Sequence, residues 1–503
     1  MEVDIALWPI TMSVIEPLQE YKGASAAIAA LSVDRQLRQP LQHQIVRQIR
    51  LFILSGRLRQ GARMPSTRGL AHELGVSRIT VTLAYDQLAS EGYMEARRGS
   101  GMYVCSTLPD EVLKVTRKDG ARRRLRSLPP PDERFEPRQH RPFQVGAIDP
   151  ALFPHATWSR LLARAWRNPV STLTGDPDSF GWRPLRNAIA RHLADWRGMD
   201  CDSAQIVVTS GTADALDVIA HCAFAAGDTV LVEEPGYAPV RFGLAKNGLG
   251  VSPVRVDDEG FDVDAAGPRV KAKGAVLTPS RQFPLGATLP LTRRLKLLDW
   301  VARTGGYLIE DDFDSEYRYR GAPLPALMSL DRNERVIYLG SFSKILSPTL
   351  RIGFMVLPRP LLDKVRSYLR LRGVAVSLIA QPALGEFMLS GDLAVHIRRT
   401  RRLYAQRQEA LISAAGMLDG LLEFVPSTAG MHLVADLAPR PRKQMTDRVA
   451  TRLAAKAGVV VRPLADYFAG RPDRSALLLG FAGFSEGELT RSVQVLADTL
   501  RRA

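Results

Sequence analysis

Cysteine is scarce: the 503-residue chain has three, Cys105, Cys201 and Cys222. They lie too far apart for a zinc motif and cannot all pair with one another, which fits a protein of the reducing cytoplasm. Long apolar stretches are missing too. No run approaches the ~20 residues that cross a bilayer, which argues against a membrane protein. The start, "MEVDIALWPI", carries no basic opening or small-residue cleavage site ahead of an apolar stretch, so it does not read as a secretion signal. The eight histidines are scattered, without the spacing of a metal site, and no full dinucleotide-binding glycine fingerprint follows a strand. What remains is a soluble globular composition, 46% hydrophobic and 24% charged. At this length one core is excluded, since domains usually hold ~100 to 200 residues, so two or more units are expected.

Acidic residues are sparse near the front. The whole chain carries +16, and between Arg35 and Val104 there are eleven arginines, no lysine and four acids, a net +7 in one seventh of the length. That concentration favours an anionic partner. Residues 1–30 show no sustained period and read as an extension without structure. Leu41, Ile45, Ile49 and Ile53 then line one side of a helix. A second helix over Thr67 to Leu74 has Ser66 as its cap. A third starts at Ser77, burying Val81, Tyr85 and Leu88 and turning Arg78 and Thr82 outward. "GYMEARRGSGMYV" reads as two short strands around a glycine tip.

Three short helices and a basic hairpin over 31–104 are the parts of a winged helix-turn-helix. Its third helix suits the major groove of a double-stranded DNA operator, with arginines, hydroxyls and amides on phosphates. A solvated basic face on a small helical domain is the plainer alternative. The run "GARMPSTRGLAHELGVSRITVTLAYDQLASEGYMEARRGSGMYV" resembles the DNA-binding domain of GntR-type bacterial repressors. Position by position, that resemblance implies DNA contacts at Arg68, Ser77, Arg78, Thr80, Arg98 and Gly99, with Arg97 adjacent. Ile79 and Thr82 stand where those repressors often carry polar or basic base readers. Residues 105–142, with "DGARRRLRSLPPPDERFEPRQHRP", read as an extended linker whose arginines keep it soluble or help hold DNA.

From Phe143 to the end, strands and helices alternate. "QIVVTS", "DTVLVEEPGY", "GAVLTPS", "GYLIEDD" and "RVIYLGSFS" are apolar strands with polar tails, and in open α/β sheets such tails converge on one ligand site. Ser210, Gly211, Thr212 and Ala213 open a helix, where free amides favour a phosphate. Ser341 and Ser343 add hydroxyls, and Arg351 a bidentate cation. Tyr237 offers a ring for stacking, Asp311 a carboxylate able to keep a ring nitrogen protonated, and Lys344 an amine that can condense with an aldehyde. Phosphate, flat ring, basic nitrogen and aldehyde together describe pyridoxal 5'-phosphate, held as a Schiff base at Lys344.

This part resembles the fold-type I aminotransferases in "GDPDSFGWRPLRNAIARHLADWRG", "IVVTSGTADALD", "TPSRQFPLG", "LIEDDFDSEYRY" and "IYLGSFSKILSPTLRIGFMVLP". Joined to its head, the chain resembles the MocR family of bacterial transcription regulators. The resemblance implies an α/β fold: a mostly parallel seven-stranded sheet with helices on both faces, followed by a small C-terminal α/β subdomain. It also implies a homodimer, head to tail.

The chain departs from the enzymes at five places. Thr174 and Phe313 stand for tyrosines, Phe283 for an asparagine, Arg281 for a histidine, and Leu478 for the arginine that clamps the substrate carboxylate. Gln282, Arg281 or Arg462 could stand in for what is lost. The expected function is a DNA-binding regulator that senses pyridoxal phosphate, an amine or an amino acid through an aldimine at Lys344, with vitamin B6 supply as one candidate circuit. The alternatives are a working aminotransferase with a vestigial head and a DNA binder whose pocket stays empty.

Overall fold

In the computed structural model of the chain, residues 28–106 and 140–503 are described, apart from positions 38, 98, 168, 170, 322, 323, 374, 375, 426 and 439–444. Arg98, residues 1–27 of the expected extension and residues 107–139 of the expected linker therefore lie outside the described residues. The chain divides into two compact units, residues 1–132 and 133–503.

The first unit, the head, contains the elements that the apolar spacing predicts. Helix α1 (Leu41–Leu54) buries Ile45, Val46, Ile49 and Ile53 on one side. Helix α2 (Thr67–Glu73) begins where Ser66 Oγ accepts from Gly69 N, and α3 (Arg78–Ser90) where Ser77 Oγ accepts from Thr80 N, both at 3.1 Å. Each hydroxyl satisfies an amide that the first turn leaves without a partner. Strands β1 (Met94–Arg97) and β2 (Gly101–Val104) pair antiparallel with Arg97 opposite Gly101, so the wing is a tight hairpin. One expectation fails: Ile28 is not structureless but packs with Leu31 into the head core. Two apolar residues can close the open end of a core without showing any period.

The body begins its packing at His140, whose ring lies 4.7 Å from that of Phe484, and at Phe143, which is fully buried against Gly480. Its helices include α4 (His155–Arg167), α5 (Arg183–Arg197), α6 (Thr212–Ala223), α7 (Ala238–Lys246), α8 (Leu291–Thr304), α9 (Leu362–Arg372), α10 (Gln381–Leu389) and α11 (Asp392–Ala414). The strands are β3 (Ile206–Thr209), β4 (Thr229–Glu234), β5 (Gly250–Asp257), β6 (Gly260–Phe261), β7 (Ala272–Leu277), β8 (Tyr307–Asp312), β9 (Val336–Ser341) and β10 (Gly353–Val356). They form one sheet in the order β3-β10-β9-β8-β7-β4-β5-β6. The strands from β9 to β5 in that order run parallel, and β10 runs against both β3 and β9. Seven strands make the expected sheet; β6, two residues long, is an antiparallel addition at the edge of β5. Buried on both faces, the parallel strands read as continuous apolar runs, not alternating ones.

The C-terminal subdomain is a second sheet of β11 (Leu422–Phe424), β12 (His432–Leu437), β13 (Arg462–Pro463) and β14 (Ala476–Gly480), ordered β11-β12-β14-β13 and wholly antiparallel. Helices α12 (Asp447–Lys456) and α13 (Glu486–Arg501) belong to the same layer. Among the described residues no helix is long and apolar enough to cross a membrane, and no cluster of His, Cys, Asp or Glu could hold a metal ion.

Candidate functional site

On the head, Arg68, Ser77, Arg78 and Gly99 are exposed and Thr80 is half-buried, all on α2, the start of α3 and the wing. Arg78 Nε donates to Thr67 Oγ1 at 3.3 Å, linking the two helices. The hydroxyls of Ser77 and Thr80 lie 2.7 Å apart, so the cap is a closed local pair. Arg97 pairs with Glu95 at 2.8 Å and lies 4.5 Å over the ring of Tyr103, which fixes its guanidinium along the wing. Gly99 adopts φ 74 at the hairpin tip, a left-handed conformation that glycine reaches without steric cost.

In the body, sheet register assembles the expected residues. Because β10 is antiparallel to both neighbours, Thr209, Gly353 and Ser341 sit side by side across three strands. A Cβ on Gly353 would stand 3.1 Å from Gly211 Cα, so glycine is what allows the β3 turn to approach. Helix α6 starts at that turn. Gly211, at φ 105, is its N-cap, and no side chain caps it. The guanidinium of Arg351 comes within about 4 Å of where a Gly211 Cβ would be. Arg351 itself holds φ 52, ψ 40, a left-handed conformation unusual for arginine. Ser210 N donates to Asp214 Oδ2 at 2.9 Å, and Asp214 pairs with Arg372 at 2.9 Å, which steadies the turn from below. Thr212 and Ala213 follow in the first turn. An uncapped helix start facing a bidentate cation is an oxyanion cradle.

Lys344 follows β9 in a turn whose backbone is held by two rings. Tyr317 Oη donates to the Lys344 carbonyl at 3.1 Å, and His396 Nε2 lies 2.8 Å from the Ile345 carbonyl. Ser341 Oγ accepts from Ser343 N at 3.2 Å. The lysine side chain reaches across to Gly146, donating from Nζ to its carbonyl at 2.8 Å.

The tail of β8 carries a dense set of acids. Glu310 is fully buried and accepts from Leu327 N and Met328 N at 2.9 and 3.0 Å. Asp312 Oδ2 accepts from Tyr338 Oη at 2.5 Å and Ser315 Oγ at 2.8 Å, and lies 2.8 Å from Arg197 Nε. Asp311 differs. It is 8% exposed, and no hydrogen-bond donor among the described residues reaches its carboxylate. Burial, with Asp312 and Asp314 adding like charge, pushes its carboxyl up to about 7. Asp314 pairs with Arg281 at 3.1 Å, yet burial still raises it to about 6. Glu233 accepts from Thr278 N and Oγ1 at 3.1 and 2.7 Å, and burial outweighs those bonds to bring it to about 7.

Above these acids lies an aromatic group centred on Phe283. Its ring stands 5.3 to 5.8 Å, edge-on, from Tyr237, Phe313, His432 and Tyr467. Tyr237 remains 40% exposed. Burial first, then the charges of Arg281 and Lys344, hold His432 well below the ordinary imidazole value, so it is neutral and donates from Nε2 to the Pro284 carbonyl at 2.9 Å.

Two of the expected stand-ins are spoken for. Arg281 is locked between Asp314 and the His432 carbonyl, and packs so closely on Gly430 that a Cβ there would lie 2.2 Å from its Cζ. Gln282 donates to the carbonyls of Pro235 and Phe283 and accepts from Leu285 N, which uses its amide to tie its own loop to the tail of β4. Leu478 is fully buried in an apolar layer with Val434, Leu464 and Phe468. Its cross-strand partner on the same face is Arg462, for which no hydrogen bond or ion pair forms among the described residues.

Two family models match the chain. "Bacterial regulatory proteins, gntR family" covers residues 41–104, and "Aminotransferase class I and II" covers residues 164–496. The probable rhizopine catabolism regulatory protein MocR of Rhizobium meliloti is 37% identical over 474 residues, 93% of this chain and 95% of its own. The pyridoxine biosynthesis regulator PdxR of Corynebacterium glutamicum is 33% identical over 457 residues, 91% and 95% of the two chains. The chain belongs to the MocR-type transcription regulators. Among solved structures, the α-aminoadipate aminotransferase LysN of Thermus thermophilus, complexed with N-(5'-phosphopyridoxyl)-L-leucine, matches with TM-score 0.64 and 28% identity over 72% of this chain and 92% of its own. Head and body thus have the GntR and fold-type I aminotransferase architectures that the motifs imply, in a regulator of MocR type.

For a MocR-type chain, sequence reasoning reached the strand tails but missed their supports. Gly146, His396 and His432 carry no motif signal. They and Tyr317 act through partners tens to nearly two hundred residues away, and of the supports Tyr317 and Asp314, both in "LIEDDFDSEYRY", stood inside a stretch already of interest.

Proposed function

We propose that the body of this regulator holds pyridoxal 5'-phosphate, and that the occupancy or chemical state of the cofactor governs DNA binding by the head. The observation that carries this reading is Asp311: a buried carboxylate without a donor, raised to about 7, is costly unless a cation completes it. The protonated nitrogen of a pyridine ring is such a cation. The uncapped start of α6 with Arg351 suits the phosphate, Ser341 and Ser343 lie on the same rim, and Tyr237 suits the ring face. When bound, the group supplies an aldehyde to which a primary amine adds and a ring that withdraws electrons. Lys344 is the protein's own amine for that carbon; Asp311 keeps the ring nitrogen protonated, and neutral His432 with the Phe283 group keeps water from that side.

The effector would be the cofactor itself or an amine or amino acid that competes with Lys344. The name of the PdxR relative lends weight to a circuit governing vitamin B6 supply. A ligand shifts the head only if it binds two arrangements of the protein unequally. We place the protein in the cytoplasm as a homodimer. A working aminotransferase with a vestigial head is disfavoured, because relatives that match over nine-tenths of the chain, MocR and PdxR among them, are regulators, and Leu478 fills the carboxylate-clamp position with an apolar layer.

The test is spectroscopic. Purified protein given the cofactor should absorb in the visible, lose that band on borohydride reduction and lack it as Lys344→Ala. A colourless wild type after incubation with the cofactor would refute the reading.

A further inference from the structure

The recognition helix presents an apolar residue where hydrogen bonding is expected. Ile79, second residue of α3, is 71% exposed, more than any other large apolar side chain described in the head. Its surroundings are cationic and polar: Ser77 and Arg78, which precede it, are exposed, as is Arg68 on α2. Leu83, one turn further along that face, is 46% exposed, and neither side chain buries within the head, whose core face is built from Val81, Ala84, Tyr85 and Leu88 on the other side of the same helix.

The neighbouring hydroxyls already have partners within the head. The hydroxyls of Ser77 and Thr80 bond each other at 2.7 Å, and Arg78 Nε donates to Thr67. Thr82, one turn beyond Ile79, donates its hydroxyl back to the Arg78 carbonyl at 3.0 Å. With its proton committed, Thr82 offers a ligand its methyl group and an acceptor oxygen. Ile79 and Thr82, three residues apart, are neighbours on one helix face, so the base-facing start of α3 offers two aliphatic tips flanked by phosphate-seeking arginines.

In the major groove one base carries an apolar group: thymine, through its 5-methyl. We propose that Ile79, with the methyl of Thr82 beside it, reads thymine methyl groups in each half of the operator, so that part of its sequence preference comes from apolar contact. This rests on DNA binding by the head. Arg68 and Arg78 then set affinity and register on the phosphates, while Ile79 sets which base is accepted.

The experiment uses the full-length protein and a duplex chosen by in vitro selection. Each thymine is replaced singly by deoxyuridine, which removes the methyl and keeps pairing and charge. Burying one methyl-sized group is worth ~0.8 kcal/mol, or about fourfold. Uracil should therefore weaken binding about fourfold at one or two positions per half-site and leave the others unchanged. Ile79→Ala should abolish that discrimination at one position and Thr82→Ser, which keeps the hydroxyl, should reduce it at the neighbouring one. Because both sites are off the core face, the melting temperature and the salt dependence of binding should match the wild type. Uracil tolerated at every position by the wild type, or discrimination that survives Ile79→Ala, overturns the proposal while leaving DNA binding intact. Failure of the wild type to bind any duplex at low salt overturns both.

Discussion

The Nζ of Lys344 donates to the carbonyl oxygen of Gly146, 198 residues earlier in the chain, at 2.8 Å. The amine therefore has a resting partner that it must release before it can bond to a carbon. A hydrogen bond from a charged group contributes roughly 1.5 to 3 kcal/mol. Lys344→Ala should lower the melting temperature of the cofactor-free protein by a few degrees. Added pyridoxal phosphate should raise the melting temperature of the wild type much more than that of the variant. Equal shifts in the two proteins would show that Lys344 does not hold the cofactor.

Asp311 predicts opposite effects on stability and on binding. Its carboxyl is raised to about 7, and each unit of such a shift corresponds to about 1.4 kcal/mol. Asp311→Asn removes a buried, unpartnered charge. The cofactor-free variant should be more stable than the wild type at pH 8, by on the order of 2 kcal/mol in chemical denaturation. The same change removes the anion facing the ring nitrogen, so cofactor affinity should fall at least tenfold. A variant that loses stability at pH 8 would remove the unpaired-carboxylate account.

The three raised acids also set a pH profile. Asp311 and Glu233 at about 7 and Asp314 at about 6 bind protons more tightly folded than unfolded. Their contribution is complete below about pH 4 and is lost as pH rises through 6 to 7. The cofactor-free protein should thus melt at lower temperature at pH 8 than at pH 5.5. Bound cofactor, supplying a cation to Asp311, should flatten that slope, which differential scanning calorimetry at several pH values would read.

Arg351 separates strain from recognition. At φ 52 an arginine bears about 1 to 2 kcal/mol that glycine would not. Arg351→Gly should keep what remains of that gain after glycine's entropy cost of ~0.5 to 1 kcal/mol, and cofactor affinity should drop about tenfold or more with the bidentate group gone. Unchanged affinity for the cofactor would show that the phosphate lies elsewhere.

Arg78, exposed at the start of α3, should matter mainly for DNA, since its one side-chain bond among the described residues, to Thr67, is long and exposed. Arg78→Ala is expected to cost ~1 to 3 kcal/mol in operator affinity and, if it meets a phosphate, to lower the slope of log affinity against log salt by about one. A filter-binding titration with an unaltered slope and affinity would take Arg78 off the interface.

Much of this was legible in the residues. Ser66 and Ser77 announced two helix starts because a capping hydroxyl acts on amides three residues away, and the structure has both bonds. The tails "TSGT", "EDD" and "SFSK" marked the site because buried parallel strands are apolar until they leave the sheet. Ile28 was illegible, since two residues have no period. Arg281 and Gln282 looked available as replacement ligands because nothing near them in sequence shows Asp314, the His432 carbonyl or the Pro235 carbonyl closing around them.

By itself the sequence determined the two-part architecture, the helix caps, the strand tails and the lysine, all of which follow from patterns spanning a few residues. Tertiary structure alone decided that β10 runs backwards, so that Arg351 comes to the start of α6, that Lys344 rests on Gly146, and that Asp311 is left without a donor while Asp312 is surrounded by them. The reason is physical: a side chain's partner is fixed by which strands and loops pack beside it, and burial then sets the energy of an unmet charge, neither of which a local run of residues can specify.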